Sequence, residues 1–272
     1  MDSTVEQLAR QAVKGDRDAV EGLVRAIQGD VYGIALRMLW HREHAEDATQ
    51  EILIRVITHL SQFDFRSRLR TWVYRLATNY LLDVKKSPVE RQNLSFARFA
   101  GDLAKGLSTE GPVDGERSRL IEEVKIGCTL GMLQCLDRPH RLAYLLGEIL
   151  ELPASEAAHA LGVEPAAFRK RLQRARERVE AFTRKHCGLV SDSASCQCNR
   201  RVPAAVKLGR ARAEALQFAT VPSSFNEARA LVRQANDARR ALALFRTSAP
   251  SQPAVDFARH VVSALELSEG GN

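Results

Sequence analysis

The sequence predicts an all-α protein. Apolar residues recur at three- and four-residue steps, as in Leu23, Val24, Ile27 and Val31, and so form one face of an amphipathic helix. The same spacing returns in later blocks, and the alternation typical of strands is nearly absent. Glycine, proline and serine collect between the blocks. We therefore expect two small helical domains joined by a flexible linker, with a mostly helical C-terminal extension.

Composition limits the classes of protein to consider. The 272 residues include 40 Lys+Arg and 33 Asp+Glu, and this basic balance fits a polyanionic partner as well as many ordinary soluble proteins. No run of about 18 apolar residues is present, so we expect no membrane insertion. The first ten residues lack the basic and apolar regions of a secretory signal. We therefore expect a cytoplasmic protein with reduced thiols.

The helical blocks give the predicted domain boundaries. The first domain covers residues 1–86, and residues 87–116 form a linker in which periodicity fades. A second domain covers residues 117–186. The extension covers residues 187–272, with helical spacing around 204–218 and 224–245 and a final apolar stretch at 255–267.

The second domain contains the pattern of a helix-turn-helix. Pro153 ends one helix, and a short helix of small residues follows it. Gly162 supplies the permissive backbone that ends this short helix. Pro165 suits the first turn of the next helix, where its missing N–H needs no partner.

That next helix is apolar on one side and basic on the other. Phe168, Leu172, Ala175 and Val179 fall on its inner face. The opposite side carries Arg169, Lys170, Arg171, Arg174, Arg176 and Arg178. A run of arginines alone fits a solvated surface helix. Combined with the small-residue helix, the glycine turn and the proline start, it favours DNA recognition in a major groove.

The order of these motifs resembles region 4 of the sigma-70 family. Residues 136–141 read Leu-Asp-Arg-Pro-His-Arg, Leu161-Gly-Val forms the turn, and residues 171–176 read Arg-Leu-Gln-Arg-Ala-Arg. In that family the last helix reads the −35 promoter element. The resemblance implies DNA contacts by the following residues: Arg169, Lys170, Arg171, Arg174 and Arg176.

The first domain resembles region 2 of the same family. The segments that carry the resemblance are residues 47–51, Asp-Ala-Thr-Gln-Glu, and residues 70–79, which begin Arg-Thr-Trp. Two such regions, separated only by a linker, are similar to the extracytoplasmic-function (group 4) sigma factors. The resemblance implies a promoter-specificity factor that binds promoter DNA and the β′ clamp helices and β flap of core RNA polymerase. It implies no catalysis. His41 and His44 flank Glu43 and Glu46 without a fixed nucleophile or a Gly-rich phosphate loop, so the sequence offers no credible active site.

Two groups of region 2 residues are candidates for binding. Asp47, Gln50 and Glu51 share a polar helix face that the resemblance assigns to the clamp helices; a solvated acidic cluster is the alternative. Cations can hold a DNA backbone and aromatic rings can stack bases. The −10 candidates on this basis are Arg66, Arg68, Arg70, Trp72 and Asn79. Many relatives read Phe-Arg-Gly at the start of this loop, whereas this chain reads Phe-Asp-Phe at 63–65.

The extension begins with a group of soft metal ligands. His186, Cys187, Cys196 and Cys198 have the chemistry to bind zinc or copper, although incidental reduced cysteines would look the same. The chain is also similar to sigma factors whose cysteine-containing C-terminal domain replaces an anti-sigma factor and responds to metal ions. Cys128 and Cys135 lie seven residues apart, hence on one helix face, and could face the extension, with buried packing as the alternative for one of them. We expect no required cofactor.

Two other functions fit part of the sequence. A two-domain DNA-binding regulator would need the basic helix but not the acidic face of region 2. A metal-buffering or stress-sensing protein would need the cysteines and only a vestigial DNA-binding part. The sequence leaves open whether a separate anti-sigma factor binds as well.

Overall fold

The computed structural model describes residues 2–108, 116–219, 222, 224–248, 253 and 255–269. Among these residues regular structure is helical, apart from one isolated bridge between Cys187 and Cys196, and the predicted all-α class is confirmed. Residues 109–115 of the predicted linker lie outside the described residues. The helices are α1 Asp2–Ala12, α2 Arg17–Leu39, α3 Arg42–Thr58, α4 Leu69–Asp83, α5 Phe96–Ala104, α6 Glu116–Gln134, α7 Arg138–Tyr144, α8 Ala154–Ala160, α9 Pro165–His186, α10 Cys198–Lys207, α11 Phe225–Gln234, α12 Arg240–Thr247 and α13 Phe257–Glu269.

The chain divides into two compact units that combine separate segments. The first unit contains Met1–Arg91, Leu152–Lys170 and Gln252–Asn272. The second contains Gln92–Glu151 and Arg171–Ser251. The short helix α8 of the predicted helix-turn-helix thus belongs to the same unit as region 2, and most of the extension belongs to the same unit as α6 and α7.

The centre of the first unit is the antiparallel pair α2 and α3. Asp16 caps α2 by accepting a hydrogen bond from the N–H of Ala19 at 3.0 Å, and Trp40 ends the helix in a left-handed conformation. The apolar face of α2 is fully buried, with Leu23, Val24 and Val31 at 0% exposure. Each such side chain stabilises the unit by roughly 1.5–3 kcal/mol, which explains why the periodic residues form the core.

Three further helices, α1, α4 and α13, pack on this pair. Helix α1 packs on α2, and α4 packs on both α2 and α3. The C-terminal helix α13 lies against α2 and α3, with Phe257 and Val261 almost inaccessible. The N–H of Phe257 donates to Oε1 of Gln28 at 3.2 Å. The end of the extension therefore becomes part of the first unit's core.

In the second unit α10 packs against α6. Leu120 and Ile121 of α6 share an apolar cluster with Val202 and Ala205 of α10, and Ala211 joins it. Arg201 donates to Oδ2 of Asp102 at 3.1 Å, although Asp102 lies on α5 in the predicted linker. The linker and the extension therefore help to build a folded unit.

The extension is helical over different residues from those predicted. Helix α10 begins at Cys198 and ends at Lys207, and residues 208–219 are turns rather than a continuing helix. Gly209 follows with a φ of 66°, a left-handed conformation that ends the helix. The stretch 224–245 contains α11 and most of α12, and 255–267 contains most of α13. Among the described residues no helix is long and apolar enough to cross a membrane.

Candidate functional site

The predicted polymerase-binding residues lie on one side of α3. Asp47 is exposed, and Gln50 and Glu51 are half-buried. Burial raises the pKa of Tyr80, and the charges of Glu51 and Asp47 raise it further, so both carboxylates lie near this ring. Asp47 and Glu51 form a small acidic surface in which Glu51 also pairs with Arg55 at 2.9 Å, and carboxylate acceptors of this kind suit a basic partner helix.

The loop before α4 presents a cluster of aromatic rings. The Phe63 ring lies 4.6 Å from Phe65 and 5.4 Å from Trp72, and Trp72 is half-buried. Phe65 has a φ of 57°, a left-handed conformation that favours glycine. The guanidinium of Arg10 stacks over Phe65 at 3.9 Å.

Two of the predicted −10 arginines have partners close by. Arg66 is exposed and pairs with Asp64, whose Oδ1 also accepts the Arg66 N–H at 3.1 Å. Arg70 pairs with Asp30 of α2, and burial raises the pKa of Asp30 although Arg70 opposes that shift. Arg70 therefore ties α4 to α2. Asn79 is exposed on α4.

Arg68 binds a residue that the sequence did not indicate. Its guanidinium donates two hydrogen bonds to the carboxylate of Glu156 on α8, one of them at 3.1 Å from Nε. The hydroxyl of Thr71 donates to the same carboxylate at 2.7 Å. Glu156 is 88 residues away in the chain, and no local spacing relates it to Arg68.

The basic helix α9 forms as predicted. Gly162 has a φ of 63° in the turn before it, and Pro165 is its first residue. Phe168, Ala175 and Val179 are buried. The predicted −35 residues Arg169, Lys170, Arg174 and Arg176 are exposed, and Arg171 is half-buried.

Arg176 differs from the other basic residues of α9 because it has a structural partner. It pairs with Glu148, whose side chain is 10% exposed, and Nε donates to Oε1 at 3.1 Å. This hydrogen bond raises the pKa of Arg176. The backbone oxygen of Glu148 also accepts from Arg246 of α12 at 2.8 Å. Arg176 therefore positions α9 within the second unit.

The three cysteines of the extension lie near a fourth one on α6. The backbones of Cys187 and Cys196 form an isolated β-bridge, in which the Gly188 N–H donates to the backbone oxygen of Cys196 at 2.8 Å, and both thiols are free. Burial raises the pKa of Cys128 well above its usual range, and charge on Cys196, Cys187 or Cys198 would raise it further. Such coupling requires nearby groups. The prediction that Cys128 could face the extension agrees with this arrangement.

His186 has a different environment from the thiols. Its ring lies 4.9 Å from the Phe182 ring, and burial lowers its pKa with help from the charge of Lys185. Within the described part of the chain, no group of three or more His, Cys, Asp or Glu side chains is arranged to hold a metal ion. The zinc or copper site that the sequence predicted at His186, Cys187, Cys196 and Cys198 therefore stays a prediction.

Hydrogen bonds from the backbone favour one thiolate. N–H groups of Leu189 and Val190 donate to the Cys187 sulfur and lower its pKa, although burial has the larger, opposite effect. This turn needs glycine at position 188, because a Cβ there would come within 2.7 Å of the Cys196 oxygen. Because burial has the larger effect, the pKa of Cys187 stays above its usual value.

Comparisons with known proteins identify the family of the chain. Residues 23–87 match the model for Sigma-70 region 2. The chain is 30% identical over 180 residues to the ECF RNA polymerase sigma factor SigC of Mycobacterium tuberculosis, covering 66% of this chain and 91% of SigC. It is 28% identical over 183 residues to the ECF RNA polymerase sigma factor SigW of Bacillus subtilis, covering 65% of this chain and 95% of SigW.

A solved structure is also similar to part of the chain. It is the structure of CnrH in complex with the cytosolic domain of CnrY, with a TM-score of 0.47, 22% identity, and coverage of 64% of this chain and 94% of the other. The sequence relatives define the class as RNA polymerase sigma factors. The chain belongs to the extracytoplasmic-function group of the sigma-70 family, and its role is in transcription initiation.

Proposed function

We propose that this chain binds the β′ clamp helices of core RNA polymerase through Asp47, Gln50 and Glu51. The observation that supports this most directly is the acidic surface on α3, which lies within the segment that matches the family model. Acidic acceptors on an exposed helix steer and orient a basic partner. The chain itself performs no catalysis, and it acts in the cytoplasm, where the polymerase supplies the chemistry.

The −10 element binds to α4 and the loop before it. Arg66 and Arg68 hold the DNA backbone, and Trp72 and Asn79 contact bases as the duplex opens. Arg70 acts indirectly, because its ion pair with Asp30 fixes α4 on α2. The half-buried Trp72 ring lies at a tilt against Phe63 and keeps part of its surface accessible to a base.

The −35 element binds to the exposed side of α9. Arg169, Lys170, Arg171 and Arg174 reach the major groove or its phosphates, and region 4 also meets the β flap. Arg176 keeps the helix in position through Glu148. A helix with buried apolar residues on one side and exposed cations on the other supports this assignment.

Transcription in vitro tests the proposed function. Core RNA polymerase is incubated with the full chain and a library of promoter templates, and the 5′ ends of the transcripts are mapped. We expect starts at a common pair of elements, and no such starts without the chain. A DNA-binding regulator that does not bind polymerase would produce no promoter-specific starts, and neither would a protein that only buffers metal ions.

We also propose that the extension regulates this activity through its thiols, by binding a thiophilic metal ion such as Zn²⁺ or copper. The proximity of Cys128, Cys187, Cys196 and Cys198 supports the proposal, and binding requires their side chains to rearrange. Zinc is titrated against a coloured chelator with the wild type, Cys128→Ser and His186→Ala. Stoichiometric binding that is lost only in Cys128→Ser is expected. An absence of binding, or its loss in His186→Ala alone, would contradict this set of ligands.

A further inference from the structure

Four polar residues of α4 form a stripe along one face of the helix. They are Arg68, which is the N-cap, and Thr71, Arg75 and Thr78, at steps of three and four residues. Thr71 and Thr78 were not predicted as contacts. The stripe combines two guanidinium groups with hydroxyl donors, a set that suits an anion with several oxygen atoms.

The stripe is occupied in this structure by α8 of the same compact unit. Glu156 receives both hydrogen bonds from Arg68 and one from Thr71. One turn further along, Nη1 of Arg75 donates to the backbone oxygen of His159 at 3.4 Å. The buried hydroxyl of Thr78 donates to the oxygen of Ala160 at 2.7 Å. Every residue of the stripe therefore meets an acceptor on α8.

We propose that Arg68, Thr71 and Arg75 of the α4 stripe form a binding site for DNA backbone phosphates and that Glu156 occupies it as an internal substitute for a phosphate. The proposal rests on the proposed function and adds Thr71 and Arg75 to the DNA contacts. A carboxylate and a phosphate accept the same pair of parallel hydrogen bonds from a guanidinium. Glu156 and the DNA backbone then compete for Arg68.

The electrostatics of Glu156 support this competition. Burial raises the pKa of its carboxyl, but hydrogen bonds from Arg68 and Thr71 outweigh burial and hold that pKa below its usual value. The carboxylate is therefore charged at neutral pH. The Arg68 side chain is 47% exposed, so a phosphate can approach it without unfolding of the unit.

A neutral replacement at position 156 tests the proposal. Binding of the full chain to a labelled DNA duplex of mixed sequence is measured by fluorescence anisotropy at several salt concentrations, because phosphate contacts do not depend on sequence. Glu156→Gln removes the competing charge and leaves the Thr78 hydrogen bond intact. Glu164→Gln is the matched control, since Glu164 is exposed and lies eight residues along the same motif.

We expect Glu156→Gln to bind DNA about fivefold more tightly than Glu164→Gln, which corresponds to the upper range for an exposed ion pair. Adding Arg68→Ala should abolish the gain, and adding Thr71→Val should reduce it. Equal affinity of the two glutamine variants would overturn the proposal. So would a gain that persists without Arg68.

Transcription separates failure of this inference from failure of the proposed function. If the wild type directs promoter-specific starts but Glu156→Gln and Glu164→Gln bind DNA equally, only the phosphate site is wrong. If the wild type directs no such starts with core polymerase, the proposed function is wrong whatever the DNA affinities are.

Discussion

The carboxylate of Glu123 accepts a hydrogen bond from the backbone N–H of Ala219 at 2.8 Å. The same side chain accepts from the N–H groups of Gln217 at 2.8 Å and Phe218 at 2.9 Å, and the residue is 2% exposed. A carboxylate on α6 thus satisfies three backbone donors in the turn region of the extension. The extension is fixed to the sigma portion of the second unit by a contact that is nearly closed to water.

Replacement of Glu123 by glutamine should destabilise the protein by about 2 kcal/mol. The amide cannot accept three hydrogen bonds, and its own N–H group would face backbone donors. Urea unfolding followed by circular dichroism measures the change. Glu214→Gln is the matched control in the extension, because Glu214 is exposed, and it should leave the midpoint unchanged. Equal midpoints for the two variants would show that the carboxylate does not stabilise the unit.

The ion pairs of Asp102 should make stability depend on pH in acid. Burial raises the pKa of Asp102, but the hydrogen bond and charge of Arg210 and the charge of Arg201 hold it below the ordinary value of 3.8. A depressed folded-state pKa gives stability that is present above pH 3.8 and lost as pH falls through the folded value. The difference in free energy of unfolding between wild type and Asp102→Asn should therefore shrink in that range. A difference that stays constant with pH would show that the two arginines do not lower the pKa of Asp102.

The thiols should react slowly in the folded protein. Burial raises the pKa of each cysteine, to about 12 for Cys135 and about 11 for Cys196. Because the thiolate is the nucleophile, an aromatic disulfide at about pH 8 should label the folded protein slowly. In denaturant all 5 thiols should react. A native thiol that reacts as fast as free cysteine would be inconsistent with this burial.

Charge reversal at Asp47 should abolish binding to core RNA polymerase. Asp47→Arg places a cation in the acidic surface that we assign to a basic partner helix, and like charges at an interface cost affinity. Pull-down with core polymerase measures the loss. Glu214→Arg makes the same change of charge at an exposed position of the extension and should bind as the wild type does. If both variants bind equally, the surface on α3 does not contact polymerase.

Replacement of Arg174 should affect DNA binding, whereas replacement of Arg176 should affect the stability of the fold. Arg174→Ala should weaken DNA binding by the holoenzyme and reduce the salt slope by about one, because an exposed phosphate contact is lost. Arg176→Ala should instead lower stability, by about 2 kcal/mol, since the Glu148 side chain, which is 10% exposed, loses its hydrogen-bond partner. Salt titrations and urea unfolding of both variants distinguish the two roles. A reduced salt slope for Arg176→Ala, with an unchanged slope for Arg174→Ala, would contradict these two roles.

Much of the fold followed from local patterns. The periodic apolar residues of α2 form its buried face, and Gly162 and Pro165 lie in the turn and at the first position of α9 as expected. The helix predicted around 204–218 was wrong in its bounds, because Gly209 is left-handed and the chain turns there. Gly209, two residues after Lys207, is a signal for a helix end that could have corrected these bounds.

The motifs and helical periodicity by themselves determined the family, the all-α class and the positions of the charged helices, because each depends on residues close in sequence. Only the tertiary structure decided the partners of those charges. Glu156 meets Arg68 across 88 residues, Glu123 meets Ala219 across 96, and Cys128 of α6 lies near the extension's thiols. Such pairs arise from packing between distant segments, and the spacing along a single helix carries no information about them.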